Sequence, residues 1–185
     1  MSEITGIALT GQMRSGKDTI ATYAAEEYGF MRFAFGDALK RLAHEIYPWV
    51  PAEPKPRGLY QHMNVMRDYD PAVWVRHCFA DISETEHERD IRFMPYVPPI
   101  ITDARQQNEI DACRARGYVI IEVFADESAR IERMESAGET FNPAQLQHAT
   151  ERHIGEFAAD YTIDNSGKQA DAFAQFDEIM RRVRA

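Results

Sequence analysis

Gly11, Gly16 and Lys17, set in the run GQMRSGKDT at residues 11–19, are the residues whose types and spacing point most directly to chemistry. They match G-x(4)-G-K, and the chemistry is phosphate binding. The run lies between ITGIALT at residues 4–10, which reads as a buried strand, and TIATYAAEEYGF from residue 19, whose apolar residues recur at helical spacing. At the start of such a helix the backbone N–H groups lack intrahelical partners. The positive end of the dipole lies there too, so an anion in the turn is stabilised. Gly11 and Gly16 permit backbone angles and a close approach that a side chain would block. Met13, Arg14 and Ser15 complete the backbone cradle, and Lys17 supplies a point charge for the terminal phosphates.

The next position departs from the commonest form of this turn. Asp18 stands where Ser or Thr ordinarily ligates magnesium, and Thr19 follows one place later. In this K-x-T variant Thr19 reaches the nucleotide phosphates. Asp18 either helps to hold magnesium, directly or through water, or turns away from the negative charge.

The elements that must position this turn follow from the rest of the pattern. Strands are predicted at residues 31–35, 100–103, 118–124 and 161–164, and helices at 37–47, 106–116, 127–137 and from the last strand to Arg184. Asp37 falls at the expected N-cap of its helix. Prolines at 48, 51, 54 and 56 interrupt the alternation, and residues 57–89 carry two helical patterns that read as an insertion covering the site. A further helix is expected after residue 143, running to about Ala159. Alternating strands and helices imply an α/β fold, a parallel sheet with helices on both faces, since each parallel crossover needs a connecting helix. Ligands in such sheets sit beyond the carboxyl ends of the strands.

Composition bounds the function. A chain of 185 residues with 44% hydrophobic content fits one domain, residues 1–185, with a proper core. Its net charge of −9 argues against a nucleic-acid polymer as partner, because phosphate backbones are held by basic surfaces. Cys78 and Cys113 form no C-x-x-C pair and fit a reducing compartment. The six histidines lack metal-ligand spacing. No leader precedes the first strand and no apolar run approaches a membrane span, so the expectation is a cytoplasmic protein with no membrane partner.

Four signals in chain order resemble the P-loop nucleoside and deoxynucleoside monophosphate kinases, most closely the bacteriophage-type deoxynucleoside monophosphate kinases. These are GxxRSGKDT, the F-x-F-G-D-x-L-K segment at residues 33–40, I-T-D-x-R-x-x-N-E at 101–109, and H-x-T-E at 148–151 followed by D-x-x-I-D-N-x-G at 160–167. Arg57, Gln61, Arg67 and the Asp70-Pro71-x-x-Trp74 segment are similar to the family's substrate-binding insertion. The resemblance implies a P-loop NTPase fold with a five-stranded parallel sheet. Its core would be residues 1–47 and 98–185, with a helical substrate-binding insertion at about 48–97 and a lid at about 127–147 that closes over ATP. It implies ATP-dependent phosphoryl transfer to a nucleoside or deoxynucleoside monophosphate, with Mg2+, by a monomer or a homodimer.

Such a transfer needs charge neutralisation and alignment rather than a base, because the acceptor oxygen is already anionic near pH 7. Lys17 holds the donor. Arg130 and Arg133, three apart on a predicted helix, either reach the phosphates, Arg133 first, or pair with Glu127 and Glu132 on a solvated face. Arg57, Arg67 and Arg105 are candidates to grip the acceptor's phosphate through their guanidinium forks. Gln61 reads a base edge, and Trp74 or Tyr60 stacks on the base unless Trp74 packs in the core. Asp37 and Asp103, at strand ends, orient the acceptor or bind magnesium through water, Asp37 alternatively capping its helix. Lys40 either contacts substrate or pairs with Asp37. Asn165 and Gly167 lie in the turn where the family surrounds the adenine with backbone groups, unless they form a plain turn only. Two other functions fit the same loop. One is a kinase of the dephospho-coenzyme A type, whose hydroxyl acceptor would need Asp37 as a base; the other is a nucleotide-binding module without turnover.

Overall fold

The computed structural model describes residues 4–138 and 157–184. The H-x-T-E segment, residues 139–147 of the expected lid and most of the helix expected to end near Ala159 lie outside the described residues. The described elements are β1 (Ile7–Thr10), α1 (Lys17–Tyr28), β2 (Met31–Phe33), α2 (Phe35–Ile46), α3 (Arg57–Asn64), α4 (Met66–Tyr69), α5 (Val73–Ile91), β3 (Pro99–Ile101), α6 (Gln107–Arg114), β4 (Val119–Phe124), α7 (Glu127–Ser136), β5 (Tyr161–Asp164) and, renumbered here, α8 (Gln169–Val183). Chain contacts gather them into two units, Met1–Arg32 with Val97–Ala185, and Phe33–Tyr96.

The expected five-stranded parallel sheet is present, in the order β2-β3-β1-β4-β5. β1 pairs in parallel with β3, Ile7 opposite Ile100, and with β4, Ile7 opposite Val119; β4 pairs in parallel with β5, Ile121 opposite Tyr161. All four residues of β1 are buried, as a central parallel strand covered on both faces requires. Alternation then sorts the side chains. Ile7, Leu9, Ile121, Val123 and Ile163 pack with Ile20 and Ala24 of α1 and Phe176 and Ile179 of α8. Ala8, Ile101 and Ile120 point the other way, the side on which Ile110 and Cys113 of α6 are buried. Burial pushes the Cys113 thiol up to about 12, which leaves it a poor nucleophile. The chain order reverses beside β1, so the crevice beyond the carboxyl ends opens where the glycine-rich turn begins.

The far end of α1 is tied to α8. The Tyr23 and Tyr28 hydroxyls both donate to Asp177 Oδ1, at 2.9 and 2.8 Å, and the Tyr23 ring stacks on Phe173 with centroids 4.0 Å apart. Tyr28 is pushed from 10.0 up to about 12, first by burial and then by its bond to Asp177; Tyr23 is raised mainly by its own bond to the same carboxylate. Both phenols must stay neutral to donate. Because the folded values exceed the unfolded ones, this contribution is complete below about pH 10 and is lost as pH rises towards about 12. Urea midpoints of the wild type should therefore fall across that window. A Y23F/Y28F double variant should start lower and fall less.

In the unit Phe33–Tyr96, α2 packs on α3 and α5, with the Phe35 and Phe79 rings edge to face at 6.1 Å. Here the structure corrects two expectations. Asp37 is not the N-cap of α2: Ala34 is, with extended backbone at φ −147, and Asp37 sits in the first turn. The helix starts earlier because Phe35 is buried in the packing, and tertiary contact outweighs the carboxylate's capping preference. Residues 57–89 form three helices rather than two, since the chain breaks at Val65 and again at Asp70. No helix among the described residues is long and apolar enough to cross a membrane.

Candidate active site

β1 ends at Thr10 and hands the chain to Gly11, whose φ of 143 belongs to glycine's territory. The turn closes through a Ser15 N–H bond to the Gln12 carbonyl at 3.1 Å, and α1 starts at Lys17 with Gly16 as N-cap at φ 100. Lacking a side chain, Gly16 places no capping group between the first N–H groups of α1 and an anion. Lys17 is only 7% exposed, and its Nζ donates to the Gly11 and Gln12 carbonyls at 2.7 and 2.8 Å. Asp18 is exposed and Thr19 half-buried.

Two other segments of the same unit grip this loop. The Asn165 N–H donates to the Phe124 carbonyl at 2.8 Å, joining the ends of β4 and β5, and Asn165 Nδ2 donates to the Ser15 carbonyl at 2.7 Å. From α7, Arg133 Nη1 reaches the Arg14 and Ser15 carbonyls at 3.2 and 3.4 Å, and its Nη2 reaches the Asn165 carbonyl at 2.5 Å. The fit is close: a Cβ on Gly16 would lie 2.2 Å from Asn165 Nδ2, and one on Gly11 would lie 2.2 Å from the Val123 carbonyl oxygen. The Oγ atoms of Thr10 and Ser15 are buried without hydrogen-bond partners among the described residues.

Arg133, the first choice for a phosphate-facing arginine, is engaged by loop carbonyls. Asn165, in the turn expected near the adenine, has a buried side chain that braces the loop. Gly167 is exposed. Arg130, one turn before Arg133, is buried. Asp103 and Arg105 stand two and four residues beyond β3, half-buried. Glu109, which sequence reasoning passed over, fixes that stretch: its Oε2 accepts from the Arg105 and Gln106 N–H groups at 2.8 and 3.1 Å, within a capping box at the start of α6. The Q-x-x-E spacing from Gln106 was the available signal.

The remaining candidates belong to the unit Phe33–Tyr96. Lys40 pairs with Asp37 at 3.1 Å on an exposed helix surface. Arg67 Nε donates to Asn64 Oδ1 at 2.8 Å, and Arg57 and Gln61 are exposed on α3. Trp74 is 0% exposed, with its indole N–H on Asn64 Oδ1 at 3.2 Å, so it packs in the core and offers no face to a base. A cleft of about 460 Å³ within this unit is lined by Asp37, Arg41, Asp81, Glu84 and Glu88, among others. Arg41 forks onto both Asp81 oxygens at 3.1 and 3.2 Å, a bond that raises its pKa and leaves the cleft predominantly acidic.

Among the described residues no group of three or more His, Cys, Asp or Glu is placed to hold a metal by itself. The hydroxyl of Thr19 and the carboxylates of Asp18 and Asp103 are hard oxygen donors, the kind magnesium takes alongside nucleotide phosphates and water.

No protein-family model matches the chain, and no curated protein matches it in sequence. Solved structures do. The Thermus thermophilus protein TT1252 is similar over 100% of both chains, with a TM-score of 0.61 at 17% identity. A sugar kinase from Janibacter sp. HTCC2649 is similar over 97% of this chain and 95% of its own, with a TM-score of 0.59 at 17% identity. A gluconokinase from Sinorhizobium meliloti 1021 is similar over 99% and 98%, with a TM-score of 0.55 at 21% identity. With the five parallel strands and the loop in place, these likenesses establish the fold: it is the α/β fold that the chain shares with the sugar kinase and the gluconokinase.

Proposed function

We propose that the chain transfers the γ-phosphoryl group of ATP to a nucleoside or deoxynucleoside monophosphate, giving the diphosphate. The observation that carries the donor half is the Lys17 loop between β1 and α1, held in shape by Asn165 and Arg133. Its N–H groups and the Lys17 ammonium would take the phosphate chain. Bound with the nucleotide, magnesium would supply positive charge against the β- and γ-oxygens, and Thr19, Asp18 and Asp103 are the residues that would hold it. The acceptor half rests on Arg57, Arg67, Arg105 and Gln61, on the insertion at about 48–97 as the acceptor-binding segment, and on residues 127–147 as the lid. Guanidinium forks bind phosphate oxygens in pairs, and the acceptor's own charge removes the need for a base.

One observation favours a second acceptor class. The acidic cleft beside Asp37 suits an acceptor that presents a hydroxyl there better than one that presents a phosphate dianion, and a carboxylate of the cleft would take the hydroxyl's proton. A coupled ADP-release assay across ribo- and deoxynucleoside monophosphates, gluconate, shikimate and dephospho-coenzyme A separates the readings. Monophosphate-dependent ADP is the expected result. ADP with none of the monophosphates sinks the proposal. Turnover confined to hydroxyl acceptors, lowered on the order of 10²-fold or more in an Asp37→Asn variant, would establish the second class. ATP binding with no turnover at all would mark a binding module.

A further inference from the structure

In the unit Phe33–Tyr96 a single oxygen joins three helices. Asn64, the last residue of α3, accepts on its Oδ1 the Nε–H of Arg67 from α4 at 2.8 Å and the indole N–H of Trp74 from the first turn of α5 at 3.2 Å. An amide oxygen has two lone pairs, and both are used. The two bonds do different things. Trp74 is fully buried, so its N–H needs an acceptor, because an unpaired buried donor is costly. Arg67 is only half-buried and could turn to water instead. Its bond to Asn64 restrains a long, flexible side chain and fixes the plane of the guanidinium. Asn64 also follows Gln61 by three residues and Arg57 by seven, so it ends the stripe of α3 that carries those two exposed side chains.

We infer that Asn64 is a positioning residue for acceptor binding: by holding Nε it presets the Arg67 guanidinium that grips the acceptor's phosphate. The inference rests on the acceptor half of the proposed function. A planar fork recognises phosphate only in a restricted orientation, and one that is oriented in advance loses less freedom when the anion arrives. The gain lies in acceptor affinity, while Trp74, through the other lone pair, ties the same amide to the core.

The test is a double-mutant cycle in the coupled ADP-release assay on the full chain: wild type, Asn64→Leu, Arg67→Met and the pair, with Trp74→Phe and Asn64→Asp beside them and a ligand-free melt of each. Arg67→Met and Asn64→Leu should each raise the acceptor KM about 10-fold or more while kcat and the KM for ATP stay within about 2-fold, the pattern of lost ground-state binding. The pair should be no worse than Arg67→Met alone, since one change acts through the other. Stability should follow the other bond. Asn64→Leu strands the indole N–H and should melt lower, and Trp74→Phe should also melt lower yet keep an acceptor KM near the wild type's. Asn64→Asp offers an oxygen to both donors, so it should melt like the wild type, but its charge beside Arg67 should raise the acceptor KM. Independent, multiplicative effects of Asn64→Leu and Arg67→Met, an acceptor KM that rises as much in Trp74→Phe as in Asn64→Leu, or an unchanged one in Arg67→Met or Asn64→Asp overturns the inference while the monophosphate reading stands. A wild type with no monophosphate-dependent ADP overturns both.

Discussion

Replacing Lys17 by methionine is expected to lower turnover on the order of 10³-fold, the loss typical of a charge that stabilises a transferring phosphoryl group. The ammonium is nearly enclosed and lies on its own loop, bonded to the Gly11 and Gln12 carbonyls, so its charge is little screened by solvent. Steady-state kinetics with ATP varied, alongside the nucleotide-free melting temperature, checks this. Activity should collapse with at most a modest change in melting, because methionine keeps the aliphatic stem in place. Unaltered ATP affinity and turnover would remove the donor reading altogether.

Gly11→Ala should have the largest effect on stability, about 3 kcal/mol, read as a lower urea midpoint. The added methyl would lie 2.2 Å from the Val123 carbonyl oxygen, a backbone atom of β4 one residue past its pairing with β1, and φ 143 strains any L side chain. Neither can be relieved without pulling the strands apart. Gly16→Ala collides at the same distance, but with the Asn165 amide, a side chain; its cost should fall more on loop geometry and ATP affinity than on folding. Gly58→Ala, where a Cβ meets nothing within 4 Å on α3, is the control and should be neutral or slightly stabilising. Equal losses at Gly11 and Gly58 would refute the contact argument.

The loop, the strands and the parallel architecture were legible because their signals are local: two glycines at fixed spacing, short apolar runs, and a change from strand to helix period between them. What stayed hidden depends on partners distant in sequence. Arg130 and Arg133 look equivalent three residues apart, and only the carbonyls of Arg14 and Ser15, brought from the other end of the chain, tell them apart. Asn165 reads as a turn residue by composition, and its bond to Ser15 spans 150 positions. Asp37 was misplaced at the start of α2 because capping preference is local while the burial of Phe35 is not. Trp74 could stack or pack on pattern alone, and its enclosed position decided for packing.

The sheet order also has a consequence for synthesis on the ribosome. β1 lies near the start of the chain, yet its neighbours are Pro99–Ile101 and Val119–Phe124, so the loop's floor cannot be completed until residue 124 has cleared the exit tunnel. Residues 33–96, by contrast, emerge as one uninterrupted stretch that makes up one of the two units. The nascent polypeptide would therefore organise its middle first, while an apolar N-terminal strand waits unpaired, and pausing of translation between residues 96 and 124 is the interval in which a holdase chaperone would matter most.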